Sequence, residues 1–167
     1  MELLDAITNR RSIRKYLDRP IEPEKLEKVA NAFRMAPSAK NLQNWKLLII
    51  RDSDLKEQIR LSSPSKAMML TQAPAVLAAV GYSQDVMTNG HRVDSIDLSI
   101  AMSYALLEAY EQGLGCCWMA NYEEDNLRKV LGLPEGTSIV AISPIGYPAE
   151  ESAKKIRKSL EEVIEYR

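Results

Sequence analysis

The stretch from 93 to about 112 constrains the fold of this chain more than any other, because it is the longest predicted helix. Ile96 and Ile100 begin one apolar stripe along it. Leu98 and Met102 lie off that stripe, so the helix is apolar on more than one face. Such a helix must be buried on several sides. In a chain of 167 residues, this pattern predicts contacts with the chain's own core and with a second subunit.

Apolar segments of strand length alternate with helical patterns along the rest of the chain. The predicted strands are 45–51, 74–82, 116–120 and 137–147. The other predicted helices are 2–9, 23–36, 53–61, 64–72 and 121–132, the last capped by Asn121. This alternation predicts one domain of mixed α and β structure around a single sheet, with the strand order left open.

The overall composition and the placement of cysteine and histidine argue against several classes of protein. A formal net charge of -1 gives no general case for nucleic-acid binding. Cys116 and Cys117 are adjacent and would point to opposite faces of a strand, which argues against a structural disulfide or a metal clamp. His91 is the single histidine, so a zinc site or a Ser-His-Asp triad is poorly supported. The chain lacks a signal-peptide pattern and a membrane-spanning apolar run, and we expect it in the cytoplasm.

Residues 10–15 carry four basic side chains, with the hydroxyl of Ser12 among them. Arginine forks match phosphate oxygens two hydrogen bonds at a time, so this segment is a candidate phosphate site. A second basic cluster at 154–158 could converge on the same phosphate. The alternatives are a solvated basic turn for the first cluster and a solvated tail for the second.

Four motifs carry a resemblance to the FMN-dependent nitroreductase family. Arg-Arg-Ser-Ile-Arg at 10–14 resembles the motif that opens the family. Ala-Pro-Ser-Ala-Lys-Asn-Leu-Gln-Asn-Trp at 36–45 is similar to the family pattern Ala-Pro-Ser-Ala-x-Asn-x-Gln-Pro-Trp. Gly-Leu-Gly-Cys-Cys-Trp-Met at 113–119 and Gly-Tyr-Pro-Ala-Glu-Glu at 146–151, followed by Lys-Ile-Arg at 155–157, complete the family's order.

The resemblance implies an α+β, nitroreductase-like fold. The expected architecture is one central mixed or antiparallel sheet of about four to five strands, flanked by helices. The protein is expected to be dimeric. Residues 1–167 would form a single FMN-binding domain, with an extended C-terminal tail at about 148–167 that contributes to the cofactor site. No metal and no catalytic side chain is implied, because flavin N5 carries the chemistry.

The family's FMN contacts can be carried over residue by residue. The phosphate and ribityl chain would be held by Arg10, Arg11, Ser12 and Arg14, and the same phosphate by Lys155 and Arg157. The other subunit of a homodimer would supply Pro37, Ser38, Ala39 and Asn41, with Gln43 as a further candidate. The isoalloxazine ring would lie along Trp118, Met119, Ala120 and Asn121, with the backbone N–H of Ala120 or Asn121 facing N5. Lys66 would lie near the pyrimidine end of the ring.

The sequence departs from the family pattern at three places. Asn44 replaces the proline before Trp45, and Ala120-Asn121 stands where many relatives have Gly-Gly or an acidic residue with Gly. Residues 83–92 are shorter than the helices that other members insert there. These departures imply an open or differently covered pocket and bear on substrate identity more than on flavin binding.

The implied activity is transfer of hydride from NADH or NADPH to FMN, then reduction of a nitroaromatic, quinone or similar acceptor by a ping-pong mechanism. One alternative is a flavin-binding protein without such turnover, either a sensor or a member of an oxygen-using branch. Another is an unliganded module whose basic ends bind an acidic partner. The leading interpretation includes a homodimer with composite sites and no nucleic-acid or membrane partner.

Overall fold

A computed structural model of the chain describes residues 3–153 and 156–167. Its centre is a sheet of four strands: β1 Trp45–Ile50, β2 Ala75–Gly81, β3 Gly115–Cys116 and β4 Ser138–Gly146. The strand order is β1-β2-β4-β3, and each neighbouring pair is antiparallel. The predicted α+β class with one sheet is therefore confirmed, and the sheet is antiparallel rather than mixed.

Six α-helices surround the sheet in the described part of the chain. They are α1 Leu3–Asn9, α2 Pro23–Arg34, α3 Ser53–Ser62, α4 Met69–Gln72, α5 Val93–Glu111 and α6 Glu124–Val130. Two predicted helix starts are wrong. Turns occupy the residues after Pro64, where Lys66 has φ +45°, and α4 begins only at Met69. The cap of α6 is Glu123 rather than Asn121.

The sheet lies between two helical layers because its strands carry apolar side chains on both faces. Leu77 and Ala79 pack on one face with α2 and α5. Val76 and Val80 pack on the other face in a cluster that includes residues of α3, α4 and α6. All seven residues of β2 are buried, which explains why its sequence is a continuous apolar run.

Helix α5 is buried along the sheet and α2 but exposes a further apolar surface. The side chains of Leu98 and Met102 are fully buried, whereas Tyr104 is 43% exposed. Tyr104 and Leu107 line a cleft of about 680 Å³ together with Leu3 and other residues of α1 and α2. The chain's own sheet and α2 therefore provide part of the burial predicted for α5.

Among the described residues, no helix has the length and apolar character needed to cross a membrane.

A cluster around Tyr147 fastens the end of β4 to the start of α2. The Tyr147 hydroxyl donates a hydrogen bond to the carboxylate of Glu22, which also pairs with Arg19 at 2.9 Å. The Arg19 guanidinium lies 3.9 Å and the Lys25 Nζ 4.9 Å from the centre of the Tyr147 ring. The hydrogen bond from Tyr147, with the help of Arg19, lowers the pKa of Glu22 from 4.5 to about 2.

We expect Glu22→Gln to lower the melting temperature at neutral pH. The folded chain holds this carboxyl at a pKa of about 2 instead of 4.5, so its stabilising effect is complete above pH 4.5 and is lost as the pH falls toward 2. The difference in melting temperature between wild type and Glu22→Gln should therefore shrink through that window, as measured by circular dichroism.

The matched control is Tyr147→Phe, which removes the donor instead of the acceptor. It should give a loss of the same sign, and the double variant should lose less than the sum of the two. A difference between wild type and Glu22→Gln that stays constant down to pH 2 would contradict the assignment.

Candidate functional site

The basic segment that follows α1 runs as extended chain along two other segments. The Ile13 amide donates to the Cys116 carbonyl at 2.9 Å, and Ser12 forms a parallel bridge with Cys116. Further along, the Leu17 amide donates to the Tyr147 carbonyl, and the Ala149 amide donates to the Lys15 carbonyl, both at 2.9 Å. Residues 12–17 are therefore fixed against β3 and against the chain that leaves β4.

Gly115 permits this close approach. A Cβ atom at this position would lie 2.7 Å from the side chain of Ile13, which is closer than two carbon atoms can pack. Only a glycine in β3 leaves room for the basic segment to pair with Cys116. The second glycine of the Gly-Leu-Gly motif at 113–115 thus has a packing reason within this chain.

The arginines of the segment differ in what they contact. Arg11 donates from Nη1 to the Thr8 carbonyl at 2.6 Å and to the Arg10 carbonyl at 2.9 Å, so its guanidinium folds back on the end of α1. Burial raises the pKa of the Cys116 thiol to about 12, and the nearby Arg10 guanidinium partly offsets this. The side chain of Arg14 is exposed, while its amide donates to Glu150 Oε1 at 2.7 Å.

The loop at 37–44 is the most strained backbone in the described residues. Lys40, Asn41 and Gln43 have φ values of +53°, +55° and +53°, in the left-handed region that favours glycine. Each such residue costs roughly 1–2 kcal/mol. The loop is held by the Gln43 amide, which donates to Ser38 Oγ at 3.1 Å, and by the Ala39 amide.

The Ala39 amide donates to Oδ2 of Asp97 on α5, at 3.0 Å. Sequence reasoning missed Asp97. The signal that could have found it is an acidic residue among apolar positions at the start of α5, as Asp94 also is, since a buried carboxylate needs a donor. Asp97 is 8% exposed. Strained loops that the surrounding structure holds in place are typical of functional sites.

The stretch 117–121 follows the edge of the sheet beyond β3. The Cys117 amide donates to Ser143 Oγ at 3.2 Å, and Met119 exchanges two backbone hydrogen bonds of 2.9 Å with Ile142. Trp118 packs against the α2 and α5 layer, and Met119 packs against the other layer. Ala120 and Asn121 are exposed at the end of this stretch.

The structure brings some of the predicted site residues together and keeps others apart. Residues 12 and 13 pair with Cys116, which leads into 118–121, and residues 14–17 bond to 147–150, which leads into the tail. In residues 3–153 and 156–167, no hydrogen bond or ion pair joins the loop at 37–43 to residues 10–14. Lys66 is exposed in the turn between α3 and α4. Arg157 is exposed, the described residues of the tail around it form no helix or strand, and Lys155 lies outside the described residues.

Comparison with known proteins agrees with this arrangement. Residues 7–147 match the Nitroreductase family. A Thermus thermophilus protein named NADH dehydrogenase is 30% identical over 204 residues, covering 100% of this chain and 98% of its own. A Bacillus subtilis FMN reductase [NAD(P)H] is 29% identical, with 97% of this chain and 72% of its own covered.

The structure of an FMN-dependent nitroreductase from Clostridium difficile superposes with a TM-score of 0.80 at 30% identity. The superposition covers 92% of this chain and 91% of that one. The family match therefore extends from the first basic segment to the end of β4, and the superposition shows the same fold. This chain belongs to the nitroreductase family.

Proposed function

We propose that this protein binds FMN and transfers electrons from NADH or NADPH to a nitroaromatic, quinone or similar small acceptor by a ping-pong mechanism. The observation that carries the proposal is the pairing of residues 12–17 with Cys116 and with 147–149. This pairing brings three separate motifs of the chain together, at 10–14, 113–119 and 146–151. Together they offer donors for a phosphate at one end and backbone for a planar ring at the other.

The side chains present fit a phosphate-bearing cofactor. Arg10, Ser12 and Arg14 supply charge-assisted and hydroxyl donors from a fixed extended segment. Arg11 contributes less than its charge suggests, since one of its nitrogens already bonds the end of α1. Arg157, with Lys155, would approach from the tail. Each charge-assisted bond to phosphate is worth about 1.5–3 kcal/mol.

FMN, when bound, would accept hydride from the nicotinamide and pass electrons to the acceptor, so the protein has to bind, orient and polarise rather than supply a nucleophile. The exposed backbone at Ala120 and Asn121 would donate a hydrogen bond toward N5. Lys66 would place positive charge near the pyrimidine edge. The short segment at 83–92 would leave the acceptor side open, in keeping with small planar substrates.

A homodimer would complete the site. Ser38, Asn41 and Gln43 lie in a strained loop that has no described polar contact with residues 10–14 of the same chain. The cleft beside α5 adds an apolar surface that a second copy would cover. We therefore propose that this loop, including Pro37 and Ala39, contacts the cofactor that the other subunit binds.

Arg14→Ala and Arg157→Ala should each weaken FMN binding by the apoprotein without unfolding it. Both side chains are exposed, and each substitution would remove a charge-assisted bond to phosphate. A loss of about 2 kcal/mol corresponds to roughly thirtyfold in Kd. Quenching of FMN fluorescence during titration with apoprotein measures the affinity directly.

The matched control is Lys15→Ala, which removes a neighbouring positive charge that lines a separate groove beside Thr71 and Gln72. Its Kd should change by less than about threefold. Equal weakening in all three variants would mean that only the overall positive charge matters. Unchanged affinity in Arg14→Ala and Arg157→Ala would remove both residues from the site.

Coexpression of two damaged chains tests the composite site. One chain carries Arg10→Ala and Arg14→Ala, and the other carries Ser38→Ala and Asn41→Ala. Random pairing makes about half of the dimers mixed, and each mixed dimer has one intact site and one doubly damaged site. Activity with NADH and a quinone should recover to about a quarter of wild type per subunit.

Affinity tags on the two chains establish that mixed dimers form and allow their purification. Each homodimer alone provides the baseline. Purified mixed dimers with no more activity than the two homodimers would place both clusters in the site of one chain, and the composite arrangement would be discarded.

A further inference from the structure

We propose that Asp97 is a positioning residue, which sets the shape of the strained loop at 38–43 so that the loop can meet the flavin. This inference deepens the proposed function and rests on it. The supporting contact is the hydrogen bond of 3.0 Å from the Ala39 amide to Asp97 Oδ2. In the described part of the chain, no other hydrogen bond ties residues 38–42 to a distant element.

Packing cannot fix the middle of this loop. The side chains of Lys40, Asn41, Leu42 and Gln43 are all exposed, and Ser38 is only half-buried. The two ends of the loop, unlike its middle, are held by packing. Ala36 is buried, and the Trp45 ring meets the Phe33 ring edge-on with centroids 5.6 Å apart. Between those anchors, hydrogen bonds must hold the left-handed residues.

The hydrogen bonds within the loop form a chain that starts at Asp97. The carboxylate fixes the Ala39 amide, next to Ser38. The Ser38 carbonyl accepts from the Asn41 amide at 2.9 Å, and Ser38 Oγ accepts from the Gln43 amide at 3.1 Å. Both left-handed residues that the family resemblance assigns to the flavin, Asn41 and Gln43, are thus tied to Ser38. Loss of the Asp97 acceptor frees Ser38 and, through it, both residues.

Helix α5 is a rigid base for this contact. Leu98 and Ala101, next to Asp97 and one turn on, are completely buried. Asp94, one turn earlier, has a similar role, because its two oxygens accept from the Ser83 amide at 3.3 and 3.2 Å. The start of α5 therefore uses two buried carboxylates to fix the backbone of two neighbouring segments. A functional loop held from a packed helix keeps its geometry before the ligand arrives.

The test compares Asp97→Leu and Asp97→Ala with Asp97→Asn. The first two remove the acceptor, whereas Asn keeps an acceptor oxygen and removes only the charge. Ser95→Ala, at an exposed position on the same helix, controls for a change in α5 itself. Two quantities are measured on apoprotein: hydrogen exchange of a peptide covering 38–44, and Kd for FMN by fluorescence quenching.

We expect the Ala39 and Gln43 amides to exchange at least about tenfold faster in Asp97→Leu and Asp97→Ala, because their acceptors are lost or loosened. The Kd for FMN should rise at least about tenfold in the same variants, while Asp97→Asn and Ser95→Ala stay within about threefold of wild type. Amides of β2 should keep wild-type exchange, which a general loss of stability would not allow.

Unchanged exchange at 38–44 in folded Asp97→Leu overturns the proposal, as does faster exchange with unchanged Kd. If both Asp97→Leu and Asp97→Ala fail to fold, the whole fold depends on Asp97 and the specific role is also rejected. A wild-type protein that does not bind FMN would instead defeat the proposed function, and the exchange measurement would still decide whether Asp97 shapes the loop.

Discussion

The structure depends on the backbone pairing of residues 12–17, which meet Cys116 at one end and Tyr147 to Ala149 at the other. This pairing extends the sheet past its short third strand and closes the chain on itself, since residues near the two termini become neighbours. Gly115 makes it possible, because any larger residue would meet Ile13. Backbone hydrogen bonds fix position without using side chains, so the pairing does not compete with the roles that we propose for Arg10, Ser12 and Arg14.

The start of α5 is the second centre of organisation. Asp94 fixes the chain just after β2, and Asp97 fixes the chain just before β1. Gly81 is required beside Asp94, since a Cβ there would lie 2.4 Å from the carboxylate. A buried helix with acidic residues at its start thus contributes both to the core and to the backbone geometry of the proposed site. The two clusters of predicted cofactor contacts are held by different elements, which suits a site shared between subunits.

The sequence predicted the single sheet, its apolar strands and most of the helices, because amphipathic and apolar patterns report burial directly. It did not predict where α4 and α6 begin. At α4, the left-handed Lys66 follows Pro64 in a turn, and Ser63-Pro64 favours such a turn as well as a helix start. At α6, Glu123 rather than Asn121 precedes the first helical turn, although Asn is ordinarily the better cap.

The site could be predicted only in part, because local sequence patterns do not contain the long-range contacts that place its side chains. Motifs identify residue types such as the arginines at 10–14, but the fold decides where each side chain goes, and Arg11 turns back to α1. Strand order, which brings Cys116 beside the first basic segment, depends on long-range pairing that no local pattern contains. Asp97 was missed because its partner is a backbone amide 58 positions away in the chain.

The most direct test of the proposed electron transfer is an anaerobic half-reaction experiment on the FMN-loaded protein. NADH is added first, and the visible absorbance of the bound flavin is followed with time. A quinone is added after excess NADH has been removed. We expect bleaching in the first step, with NAD⁺ formed in proportion to bound flavin, and full return of the absorbance in the second. Flavin that binds but is not bleached by NADH or NADPH, or bleached flavin that the quinone does not reoxidise, would contradict it.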